Sequence, residues 1–176
     1  MAPPSIQDIR DYLPLPKIEV LRREYVREQA VALLNAVLPA TYDQAREYAD
    51  AVAHAFYGDL PKDRGREGRD RLSTQDRERC LIALLTSRRV ELELAIHVYL
   101  AVMERISPEE IANVMMLTGM YTGLDNFSRG LRVEAKALET LADIADENVP
   151  RDAGSVLLRL RNAFEPAPKP APRRGS

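Results

Sequence analysis

The chain has 176 residues, 45% of them apolar and 30% charged, with a net charge of −2 and a pI near 5.8. That length suits one domain with its own core, and the balanced charge leaves no footprint for nucleic acid or an anionic membrane. Cys80 is the only cysteine, so an intramolecular disulfide is excluded, which fits a reducing compartment.

Residues 1–16 carry four prolines and read as an extended, poorly ordered lead-in. Residues 1–11 lack a basic segment followed by an apolar run, so no secretory signal is expected. The longest apolar stretches are too short to span a bilayer. The expected location is the cytoplasm.

From Ile18 to Val37, Leu21, Tyr25, Leu33, Leu34 and Val37 recur at helical spacing. Pro39 ends that helix, and Thr41 caps another running to about Tyr57 and Gly58. Residues 61–70 form a charged, glycine-containing loop. Ser73 opens a helix, with Asp76 three residues on in an acid variant of the capping box. It should run through Leu85 or Thr86, and a further helix should cover about Val90 to Glu104.

Ser107-Pro108-Glu109-Glu110 is the strongest local signal: a cap, a first-turn proline and a closing acid. This helix reaches Thr122, with Gly123 at its end. Asp125 or Asn126 starts a long helix ending near Asn148 and Pro150. Residues 17–149 are thus expected to form a single all-α domain. Ala153 to Phe164 can form a short amphipathic helix, with Val156, Leu157, Leu160 and Phe164 on one side, before a disordered tail rich in proline and basic residues. No alternating strand pattern is present, so the expected fold is all-α with six to seven helices.

Three residues could carry chemistry. Glu93 and His97 lie four apart and share a helix face. Glu78 lies on the apolar face of the preceding helix with Leu81, Ile82 and Leu85, and a carboxylate there costs several kcal/mol unless something pairs with it. In an antiparallel hairpin Glu78 and His97 can meet. The functional reading is a partly buried imidazole that gives or takes a proton, oriented by Glu78 or Glu93; the structural one is a satisfied polar cluster in the core. A metal held by Glu78, Glu93 and His97 is a weaker option, because there is neither further histidine nor a second ExxH. No metal and no cofactor is therefore expected. Cys80 lies about 200° around the helix from Glu78 and reads as a small buried apolar residue. His54 has only Asp50 at helical spacing and reads as structural or exposed. Met103, Met115, Met116 and Met120 read as core or subunit interface.

Residues 72–141 resemble the carboxymuconolactone decarboxylase and alkyl hydroperoxidase D family. The segment from Leu72 to Arg79 resembles its L-S-x-x-D-R-E opening, Glu93 to Ala101 its E-x-x-x-H-x-x-x-A segment, and Ile106 to Ile111 followed by Tyr121-Thr122-Gly123 its V-T-P-E-E-I … Y-x-G end. The hydroperoxidase branch has cysteines seven and four positions before the histidine; here those positions are Val90 and Glu93. The resemblance therefore points to the branch lacking CxxC, disfavours peroxidase or disulfide reductase chemistry, and carries Glu78, Glu93 and His97 over as site residues. Arg105 replaces the usual glycine before V-T-P-E-E-I, and Gly123-Leu124-Asp125 the usual G-V-P. The resemblance implies a helical-hairpin fold, assembly as a trimer or hexamer, and a cofactor-free lyase acting on a small carboxylated lactone or keto-acid. Arg77, Arg88 and Arg89 are candidate cations for the substrate carboxylate. The alternative is a non-catalytic oligomer that retains the fold.

Overall fold

The computed structural model describes residues 4–30, 32–34, 73–147 and 149–165. The helix expected from Thr41, the charged loop, His54 and the tail beyond residue 165 lie outside the described residues. Within them the chain is all-α, with a 3-10 turn at Ile9–Asp11 and no strand. The helices are α1 (Leu15–Glu24), α2 (Thr74–Arg88), α3 (Glu91–Met103), α4 (Pro108–Thr122), α5 (Leu124–Asp146) and α6 (Ala153–Phe164). No helix among the described residues is long and apolar enough to cross a membrane.

Local chemistry accounts for the boundaries. Ser73 Oγ accepts from the Asp76 amide at 3.0 Å and donates to the Asp76 carboxylate at 2.6 Å, which starts α2. Ser107 Oγ accepts from the Glu110 amide at 3.2 Å ahead of Pro108, which starts α4. Asp152 accepts from the amides of Gly154 and Ser155 and caps α6. The end of α3 is a Schellman motif: Ile106 N–H donates to Ala101 O at 2.9 Å and Arg105 N–H to Val102 O at 3.2 Å. The left-handed residue in that motif, usually glycine, is Arg105 with φ of 70°. Arg89 closes α2 in the same region, with φ of 61°.

α3 is the central element. Leu94, Ala95 and Val98 to Met103 are all buried, as an almost wholly apolar helix demands. α2 packs beside it as the other arm of an antiparallel hairpin, and α5 crosses both while also contacting α1, α4 and α6. Gly119 of α4 makes the tightest crossing: a Cβ there would meet Phe127 Cβ at 2.5 Å.

Two elements differ from the sequence reading. The helix expected over Ile18 to Val37 stops at Glu24, where Tyr25 turns extended (φ −74°, ψ 122°); helical backbone resumes at residues 27–30 and 32–34. The break sets the Tyr25 ring edge-on against Tyr99, with centroids 5.8 Å apart. The proline-rich start, expected as a loose lead-in, folds back onto α4 and buries Ile9 and Leu13. Ile9 and Leu13 lie four apart, but two apolar residues in a short proline-rich stretch are too few for a periodic signal.

Candidate functional site

The hairpin geometry brings Glu78 and His97 together. α2 and α3 are joined across Arg89 and Val90, so the middle of one arm faces the middle of the other. His97 Nδ1 lies 2.8 Å from Glu78 Oε2. Glu78 is 4% exposed and His97 7%, so water competes little for this contact. An ionised carboxylate can only accept, so opposite an ionised Glu78 it is Nδ1 that carries the hydrogen.

Polar ties hold the arms in register around the pair. Gln75 Nε2 donates to Glu104 O at 2.8 Å, linking the start of α2 to the end of α3. Arg79 bridges Asp76 at 2.8 Å and Glu110 at 2.7 Å, fastening the same turn of α2 to α4. These contacts set the approach of the acid to the imidazole, though each is too solvated to add much stability.

The third expected site residue stands apart. Glu93 is half-buried in the first turn of α3 and makes no hydrogen bond to the His97 ring among the described residues. Among the described residues no group of three His, Cys, Asp or Glu could hold a metal ion. Arg88 is exposed, and Arg89 donates to Asn126 Oδ1 at 3.3 Å, eleven residues and about 16 Å along α2 from Glu78. Cys80, expected to be buried, is exposed, because the helix face opposite Glu78 points to solvent.

Two polar features escaped the sequence reading. Asn126 Oδ1 accepts from Arg89 and from Arg129, each at 3.3 Å, and Arg129 also donates to Thr86 O at 2.9 Å. Burial, then the charges of Arg89 and Arg132, hold the Arg129 guanidinium below its usual pKa. The second is Glu134 of α5, fully buried with neither carboxyl oxygen hydrogen-bonded. Burial alone pushes its carboxyl well above the ordinary glutamate range. The signal was present: Glu134 sits at helical spacing among Leu131, Leu138 and Leu141.

Comparison with protein-family models, with curated proteins and with solved structures finds no match to this chain.

Proposed function

We propose that the protein is a carboxymuconolactone decarboxylase-like, cofactor-free carboxy-lyase that acts on a small carboxylated lactone or keto-acid. The reading rests on one observation: a buried imidazole hydrogen-bonded at 2.8 Å to a buried carboxylate. Loss of CO₂ leaves the bonding electron pair on carbon as an enolate shared with the neighbouring carbonyl. Protonated His97 gives its Nε2 proton to that carbon, and the ring recovers a proton from solvent. Glu78 orients the ring through its contact with Nδ1. Glu93 lies half-buried one turn before His97 and makes no hydrogen bond to its ring among the described residues.

The test is CO₂ release from small carboxylated lactones and β-keto-acids by the wild type and by His97→Ala. A single positioned acid contributes roughly 10²–10⁴-fold, so the variant should lose at least about a hundredfold in kcat while keeping its helical circular dichroism. Equal turnover in a folded variant would remove His97 from the chemistry.

A second reading is an oligomer that retains the fold without catalysis. It is favoured by the exposed apolar side chains Leu117, Met120, Tyr121 and Leu124, the last three 69%, 91% and 72% exposed at the end of α4 and start of α5. Such a patch is typical of a contact surface, and a trimer or hexamer is the proposed assembly. Sedimentation of the wild type and of Met120→Glu checks this. A wild-type monomer at micromolar concentration would refute the assembly.

A further inference from the structure

A cavity of about 490 Å³ lies between the N-terminal segment and the α3–α4 turn, within the size range of small-molecule sites. Its apolar lining comes from Leu13, Ile18 and Ile106, and it also carries the side chains of Arg10, Arg22 and Arg105. Neither Glu78 nor His97 lines it.

Its charges are unevenly answered. Of the two acids lining it, Glu109 lies 3.5 Å and Asp11 3.8 Å from Arg10, so one arginine faces both. Arg22 is already engaged, donating to Glu19 at 2.7 Å and to Val102 O at 2.7 Å. Arg105 is exposed and makes no ion pair among the described residues. It also holds a left-handed backbone, with φ of 70°, where glycine would be unstrained. An arginine at a left-handed position beside an apolar cavity points to a role for its side chain.

We propose that this cavity binds a small organic carboxylate with an apolar body, the anion meeting Arg105 and the body resting on Leu13, Ile18 and Ile106. An inorganic oxyanion satisfies only the first half of that arrangement, and a neutral molecule only the second. The site is independent of the proton-transfer reading, which could fail without affecting it.

Calorimetric titration of the full chain with hexanoate tests the proposal, with hexanol and inorganic phosphate as comparisons. Hexanoate should saturate and bind more tightly than either. Arg105→Gly should weaken it by at least about tenfold, the loss expected for one hydrogen-bonded charge. The same variant relieves the backbone strain and should unfold no lower than wild type, so lost binding cannot be attributed to misfolding. His97→Ala should bind hexanoate like wild type. No saturable binding, hexanol or phosphate binding as tightly as hexanoate, unchanged affinity in Arg105→Gly, or loss in His97→Ala would each overturn the proposal.

Discussion

Replacing Glu134 by leucine should make the protein more stable, by an amount that grows with pH. Glu134 is fully enclosed on α5 with both carboxyl oxygens unpaired, and burial raises its pKa well above the ordinary value. The folded protein therefore keeps this proton while the unfolded chain releases it above about pH 4.5. The stability that goes with the raised pKa is fully present below the unfolded value and is lost as pH climbs towards the folded one. One proton difference is worth about 1.4 kcal/mol per pH unit. For a chain of this size that is a fall in Tm of roughly 3–6 °C per unit. Leucine removes the titration and also the buried unpaired acid, a further gain of about 1–3 kcal/mol. Urea unfolding of both proteins at half-unit steps from about pH 5.5 upward isolates the term as the difference between two stability curves. A difference that stays flat with pH would mean that Glu134 finds a partner or water in solution, and the reasoning would fail.

Gly119→Ala should cost about 1–3 kcal/mol, because the added methyl meets the backbone-anchored Cβ of Phe127 at 2.5 Å; chemical denaturation reads the loss, and a neutral result would show that α4 and α5 can slide apart. Ser107→Ala removes the acceptor for the Glu110 amide and should cost about 1 kcal/mol, visible in the same experiment; an unchanged midpoint would show that Pro108 suffices to start the helix.

The elements legible from sequence are those whose signals are local. The start of α4 was readable from four consecutive residues, since cap, proline and acid each act within one turn. All-α architecture is legible from periodicity, whereas the spacing only permits the hairpin and the reach of His97 to Glu78, which the structure supplies. The break at Tyr25 was not readable, because apolar spacing continues on both sides of the two non-helical residues Tyr25 and Val26. Nor were the burial of Ile9 and Leu13 or the exposure of Cys80, which depend on what packs from elsewhere. Glu134 shows the limit from the other side: its position on the apolar face was visible, but only three dimensions reveal that no hydrogen-bond donor among the described residues reaches it. Glu93 shares a face with His97, yet a shared face does not ensure a hydrogen bond, and none joins them among the described residues.

The outward-facing sulfur of Cys80 offers a practical handle. With no competing thiol in the chain, a maleimide-linked spin label would attach at one place, on the solvent side of the helix whose inner side holds the acid. Label-to-label distances would then report whether copies of the chain associate, and in what arrangement, without disturbing a single buried side chain.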